Sequence, residues 1–362
     1  MNHFVSSLIQ KYKAYFVSFA MAKGRFSVVR VVEDHNSSNN KHDGGAAQVK
    51  VAEDIIPSIG TISSLSGFEY KRTLGEGGYG KVYLASFGGK VYAIKVAPKR
   101  YSGKPTDEFL TLSKAGHPFI VRLHYHHIGQ QKEYFVLDFC GGGDMRTLLN
   151  RVSFFNESHT AFYGSEVLFA LIYLHTILKI AYRDLKPCNI LVDSRGHIKL
   201  TDFGLSIPIS RKNITRQKLS GTTEYMSPES FTSEGDPNHV KDDIWAFGVF
   251  LYELLFGERP FDVEVKSHTI SNIMNLNYEI PEDRGLSSES RAVLRSIFVY
   301  ENDRIESATQ LINLPFFANY HNLTSESLSS LPAPFDPMLL SDDDVTHFEY
   351  SSFEDDKRIL CQ

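Results

Sequence analysis

The stretch LGEGGYGKVYLASFGGKVYAIKV, Leu74 to Val96, decides between two folds. It places four glycines in six residues, then an apolar run with one lysine, Lys95, near its end. Without side chains, Gly75, Gly77 and Gly80 let backbone N–H groups approach an anion closely. A GxGxxG string of this kind also opens dinucleotide-binding folds, but there a helix follows at once. Here KVYLASFGGKVYAIKV reads as two strands joined through Gly88 and Gly89. The pattern therefore predicts a glycine loop between strands and argues against a Rossmann unit.

Lys95 lies among Tyr92, Ala93, Ile94 and Val96, where an amino group gains little from its neighbours. It has a use if it meets ligand phosphates at the sheet face while its stem packs with Val82 and Ala93. A buried ammonium also needs a carboxylate partner, because an unpaired interior charge is costly. KPTDEFLTLSKAGHPF supplies one: it reads as a short helix with Pro105 near its start and Gly116 near its stop. Glu108 stands four residues before Leu112, on the same helical face, so one can reach Lys95 while the other packs inward. In isolation Glu108 would read as a solvent carboxylate.

Further along, EYFVLDFCGGGDMRTLL reads as an apolar strand, a glycine break and a helix starting at Asp144. Residues 161–179 have the apolar spacing of a buried helix. In YRDLKPCNILVDSRGHIKLTDFG, Asp184 and Asp202 flank a strand pair turning at Ser194 to Gly196, which lets two carboxylates converge across a cleft. Asn189 and Asp202 are oxygen donors suited to magnesium, and Lys186 can neutralise charge near a transferred phosphoryl group.

The chain has 362 residues and a mass of 40.9 kDa, enough for one large domain or two lobes. Hydrophobic content of 42% and charged content of 22% are ordinary for a soluble globular protein. A formal net charge of -5 argues against nonspecific nucleic-acid binding. Cys140, Cys188 and Cys361 lie too far apart for a disulfide framework or a structural zinc site, which fits a reducing compartment. The expected location is the cytoplasm, with the nucleus also open. The opening MNHFVSSLIQKYKAYFVSFA reaches no uninterrupted membrane-spanning length, and no lipidation signal is seen, so stable membrane insertion is not expected.

Composition divides the chain into an extension and linker (1–67), a globular region (68–317) and a tail (318–362). Residues 1–31 are apolar with scattered bases and read as a packing or amphipathic element. EDHNSSNNKHDGG reads as loop. The tail passes through LPAPFDP into DDDVTHFEYSSFEDD, where Phe348, Tyr350 and Phe353 sit among acids and call for a docking surface.

Together these motifs make residues 68–317 resemble a eukaryotic protein kinase catalytic domain. The match covers the glycine loop, AIK ending at Lys95, YRDLKPCN, DFG at Asp202 to Gly204, SPE at Ser227 to Glu229, DIWAFG at Asp243 to Gly248, and Arg304. Tyr182 in place of the commoner histidine, Glu224 and Tyr225 in GTTEYMSPE, and the tail resemble the AGC serine/threonine group. The resemblance implies an α+β, bilobal fold with a small β-rich N-lobe and a large helical C-lobe.

It also implies roles. Gly75, Gly77 and Gly80 would cover the phosphates of ATP, and Lys95 would pair with them, held by Glu108. Asp184 would orient the acceptor hydroxyl and take its proton, with Lys186 near the transferred phosphate. Asn189 and Asp202 would hold Mg2+. Val82 and Ala93 would roof the adenine pocket and Leu191 would floor it. Leu137 would guard its rear, and Asp138 to Cys140 would form the hinge, with Asp144 at the nucleotide's edge. Leu112, Leu123, Tyr182 and Phe203 match a side-chain column joining the lobes, anchored by Asp243. The contrasting reading is an ATP-binding pseudokinase acting as a scaffold.

Departures from the family bear on regulation. Counting back from Gly221, Lys218 stands where an AGC kinase carries its phosphorylated threonine. A phosphate there would pair with Arg183, but a lysine repels it. Three routes stay open: modification of Thr215 or Ser220, activity independent of loop phosphorylation, or activation by a partner. Thr215 is preferred because Arg211, Lys212 and Arg216 surround it. The terminal hydrophobic motif of the group is not convincing here. An activating kinase or partner docking on the small lobe, or residues 1–31, would then fill its pocket. GRFSV at Gly24 to Val28 resembles a short RFxV docking peptide, although FSVVRVV reads more simply as a strand. For protein substrates, Asp144 and Glu253 match positions that receive upstream arginines, Cys188 replaces a third acid, and Leu219 and Met226 would line a pocket for the residue after the target.

Overall fold

The computed structural model describes residues 17–22, 25–30, 60–61, 65–77, 80–99, 106–211, 222–232 and 238–348. The chain divides into two units, Met1–Ser58 and Ile59–Gln362. In the first, β1 (Val17–Ala22) and β2 (Arg25–Arg30) form an antiparallel hairpin with Ala22 opposite Arg25. The strand expected in FSVVRVV is present over Arg25–Arg30.

The second unit opens with a sheet of β3 (Gly60–Thr61), β4 (Glu69–Gly77), β5 (Gly80–Phe87), β6 (Lys90–Pro98), β7 (Leu123–Ile128) and β8 (Lys132–Asp138), in the order β3-β7-β8-β6-β5-β4. Five strands are mutually antiparallel, and β3 adds a short parallel edge on β7. The turn between β5 and β6 uses Gly88 and Gly89, both at positive φ (58° and 75°), which matches the twist of a tight hairpin. Strand alternation then sorts the side chains. Tyr83, Ala85, Tyr92, Ile94, Val96, Tyr134 and Val136 pack into one apolar cluster. The opposite face carries Val82, Ala93, Lys95 and Leu137, with Val82 opposite Lys95 and Ala93 opposite Leu137.

Between β6 and β7 lies α1 (Asp107–Leu112), capped by Thr106, whose hydroxyl accepts the Phe109 N–H. It is shorter than the sequence reading and stops before Gly116: the Lys114 N–H turns to the Thr111 carbonyl at 3.1 Å, three residues back, which tightens and ends the helix. Burial is confined to Glu108, Thr111 and Leu112, the inward face of this short piece.

The larger lobe is helical. Asp144 caps α2 (Met145–Val152) and Asn156 caps α3 (Glu157–Ile172) through side-chain oxygens, each satisfying an orphan N–H. α3 continues into a wider turn, Tyr173–Leu178, and Lys179 ends it in the left-handed region. Glu157–Leu178 is long and apolar enough to cross a membrane, but 67% of its apolar window is buried, as suits the central helix of a large core. Against it packs α4 (His239–Phe256), buried along most of its length and stopped by Gly257 at φ 79°.

Short strand pairs build the cleft floor: β9 (Ile180–Ala181) with β12 (Ile207–Pro208), and β10 (Ile190–Val192) with β11 (Ile198–Leu200). The β10–β11 hairpin turns where the sequence predicts, with Gly196 at φ 85°. Arg304, 2% exposed, sets its guanidinium on Glu229 at 3.0 and 3.1 Å, joining the SPE motif to the late arginine.

Candidate active site

Lys95 projects from β6 into the space under the sheet, where its Nζ lies 2.6 Å from Glu108 Oε1 and 2.9 Å from Asp202 Oδ1. Burial disfavours the ammonium, but the two carboxylates outweigh it and hold Lys95 above its ordinary pKa. The lysine is thus a fixed cation. Glu108, an exposed acid on a naive reading, is 8% exposed and spent on this pair.

Asp202 reaches that point through strained backbone, at φ 54°. The next residue pays the strain back: Phe203 is fully buried against Tyr182, ring centroids 5.2 Å apart. Tyr182 and Arg183 in turn donate their backbone N–H groups to Asp243, at 2.8 and 2.7 Å, and His175 Nε2 sits 2.7 Å from the same carboxylate. Arg183 itself has φ 70°, so Asp243 clamps a loop that would otherwise relax. Leu112 and Leu123 are buried in the core cluster that contains Phe203 and Tyr182.

Across the cleft stands Asp184, 5% exposed. Lys186 Nζ approaches its two oxygens at 3.1 and 3.0 Å and also donates to Thr222 Oγ1 at 3.0 Å. Asn189 Nδ2 donates to the Asp184 carbonyl and carboxylate at 2.9 and 2.7 Å. With its amide nitrogen so engaged, Asn189 offers Oδ1 as an oxygen donor, and Asp202, whose Oδ1 takes Lys95, offers Oδ2. Among the described residues no group of three or more His, Cys, Asp or Glu is arranged to hold a metal. Two hard oxygens without a complete protein cage suit Mg2+, which keeps waters and shares phosphate ligands, better than they suit zinc.

Gly75 and Gly77 lie on β4 opposite Val82 and Gly80. At Gly80, φ is 136° and a Cβ would come within 2.1 Å of the Val96 carbonyl oxygen, so only glycine fits the loop's return. Ala93 and Leu137 are buried, while Val82 and Leu191 are half-buried. Asp138 is engaged: burial opposes its charge, but His124 at 2.7 Å, Lys199 and the Arg122 N–H hold its carboxyl below the usual range. Cys140 is buried and its thiol is pushed far up by burial.

The acids expected to receive substrate arginines already have partners. Asp144 accepts the Thr147 N–H at 2.8 Å as the cap of α2. Glu253, 2% exposed, binds Arg146 at 2.6 Å and the Tyr225 hydroxyl. Arg146 went unnoticed in sequence, and Tyr225 was noticed only as part of a motif and not as a partner of Glu253, because they stand 107 and 28 residues from it. Thr222 was also missed, although its place in GTTEY beside the cleft offered a signal. Cys188 is exposed and lines the same polar cleft as Glu76, Lys186, Asn189, Thr222 and Glu253. Met226 is half-buried just after the turn Thr223–Tyr225. Arg183 is mostly buried, with its Nη1 on the Leu205 carbonyl at 3.4 Å; Thr215, Lys218, Leu219 and Ser220 lie outside the described residues.

The tail docks behind this site. Phe348 stacks on Phe139 of the hinge at 5.7 Å, and Lys71 on β4 pairs with Asp343 at 2.5 Å. Tyr350 and Phe353 lie outside the described residues.

A sheet-rich lobe with a carboxylate-held lysine, over a helical lobe with a carboxylate, an asparagine and a second aspartate at the cleft, defines a protein kinase. The protein kinase domain model matches residues 68–317, and the chain belongs to that family, in its AGC-like serine/threonine group. It is similar to human ribosomal protein S6 kinase alpha-2, 36% identical over 299 residues, covering 78% of this chain and 40% of the relative. Xenopus laevis ribosomal protein S6 kinase 2 beta is also 36% identical, with 78% and 47% covered. Zebrafish (Danio rerio) serine/threonine-protein kinase Sgk1 is 34% identical over 333 residues, with 88% and 74% covered. The chain thus spans less than half the length of those ribosomal S6 kinase relatives. Members of the family generally use ATP and Mg2+ and act on protein substrates.

Proposed function

We propose that this chain transfers the γ-phosphoryl group of ATP to serine or threonine hydroxyls of protein substrates. One observation carries the reading: Lys95 is held between Glu108 and Asp202 while Asp184, with Lys186 and Asn189 on it, stands across the same cleft. Phosphoryl transfer asks for little else from a protein, because positioning and charge compensation dominate its transition state.

In this reading the glycine loop amides and Lys95 bind the phosphates, and Val82, Ala93 and Leu191 enclose the base against the hinge backbone. Asp202 and Asn189 would hold Mg2+, which when bound screens the phosphate charge. Asp184 accepts a hydrogen bond from the acceptor hydroxyl and takes its proton as oxygen bonds to the γ-phosphorus; the bond to the β-phosphate oxygen breaks and ADP leaves. Lys186, bridging Asp184 and Thr222, sits where it can follow the moving charge. An upstream basic preference remains the reading for substrates, with the Asp144 and Glu253 carboxylates shared between internal donors and an incoming guanidinium. The internal pairing weakens each as an arginine site.

The test is transfer from labelled ATP to a peptide with arginines upstream of a serine. Asp184→Asn is expected to lower kcat by at least a hundredfold with the fold intact, since it removes a positioned base. A wild-type chain that binds nucleotide but transfers no phosphate would identify it as a scaffold instead.

A further inference from the structure

Glu108 is the second residue of α1, a helix of six residues that is too short to hold its own position in water. Its middle is fixed: Phe109 stacks on His126 at 4.1 Å, and Thr111 and Leu112 are buried. Its first turn is fixed differently. Asp107, next to Glu108, takes both terminal nitrogens of Arg211, Nη1 on Oδ2 at 2.6 Å and Nη2 on Oδ1 at 2.8 Å. Arg211 belongs to the other lobe. Its N–H bonds the Pro208 carbonyl of β12 at 2.9 Å, and Ile209 N–H bonds the Lys179 carbonyl at 2.9 Å.

We propose that Arg211 and Asp107 form a positioning clamp that ties the stretch from Asp202 to Arg211 to α1 and thereby sets the Lys95–Glu108 pair, a role that rests on the phosphoryl-transfer reading above. The connections close a ring. Lys95 touches Glu108 and Asp202; Glu108 adjoins Asp107 on α1; Arg211 lies on the segment that Asp202 begins; and Arg211 holds Asp107. Displacing the segment therefore pulls on both partners of the lysine. Paired, planar Arg–carboxylate contacts fix direction as well as distance, so this clamp resists rotation of α1 better than a single contact would. Both side chains are partly exposed, at 41% and 34%, which makes the clamp a bias on geometry rather than a source of fold stability. Asp107 also offsets the Arg211 charge that bears on neighbouring Arg183.

Arg211→Gln, Asp107→Asn and the charge-swapped Asp107→Arg/Arg211→Asp chain test this in the full-length protein. Each single change is expected to lower kcat about fivefold with peptide KM within about twofold, and the swap to bring kcat back within about twofold of wild type. Amide hydrogen exchange across α1 is expected to quicken about fivefold in the single variants and to recover in the swap. Unchanged kcat in the single variants, or a loss the swap does not repair, overturns the clamp. The exchange measurement needs no catalysis: unchanged α1 exchange sinks the clamp alone, whereas a wild type that transfers no phosphate sinks the reading of the site alone.

Discussion

His117 shows how a single ring can make the fold sensitive to acid. Its imidazole stacks on Tyr173 at 5.0 Å, and Nδ1 accepts the Phe119 N–H at 3.2 Å, an arrangement only the neutral ring can make. Burial lowers its pKa from 6.5 to about 4. The unfolded chain therefore binds a proton that the folded chain refuses. The resulting stability is fully present above pH 6.5 and is lost as pH falls from there toward 4. Between pH 7 and pH 5 this one group is expected to cost about 1–2 kcal/mol. Urea midpoints at the two pH values check it: the drop in wild type should exceed that in His117→Phe, and equal drops would contradict it. Glu166 runs the other way. Burial raises it to about 7 despite His197 at 2.5 Å and the Ile198 N–H, so its contribution falls as pH rises from about 4.5 to about 7.

At the scale of elements, glycines decide where the tail can lie. Gly89 and Gly143 have nearly the same φ, 75° and 77°, yet their surroundings differ. A Cβ at Gly89 would meet nothing within 4 Å, whereas at Gly143 it would come within 2.6 Å of the His347 carbonyl oxygen. Both alanine substitutions carry the left-handed cost of about 1–2 kcal/mol. Only Gly143→Ala should also lift His347 and Phe348 from the hinge. Limited proteolysis of the tail is expected to quicken in Gly143→Ala and stay at the wild-type rate in Gly89→Ala. The notch was not legible in CGGGD, because a run of small residues does not reveal what backbone will cross it.

At the scale of the molecule, Asp243 joins the large-lobe core to the loop that carries Asp184. Its fully buried carboxylate serves Tyr182 N–H, Arg183 N–H and His175, and two of these lie beside Asp184. Asp243→Asn would replace an acceptor-only group with one that must point an NH2 at a donor. The expected loss is about 2–4 kcal/mol, from leaving buried donors unpaired. Thermal melting measures it, and an unchanged Tm would show that the loop holds itself.

Strand alternation and the paired glycines at 88 and 89 were enough to read the strands around the glycine loop, and the ordered motifs around Lys95, Asp184 and Asp202 carried the family resemblance that implied two lobes and the chemistry of the cleft. These signals are local, or are ordered along the chain, so sequence alone determines them. The partner of Glu253, the acceptor for Arg211 and the surface under Phe348 were settled only by folding. Each depends on groups that are far apart in sequence, and a carboxylate cannot advertise which of many distant cations will be brought within 3 Å of it.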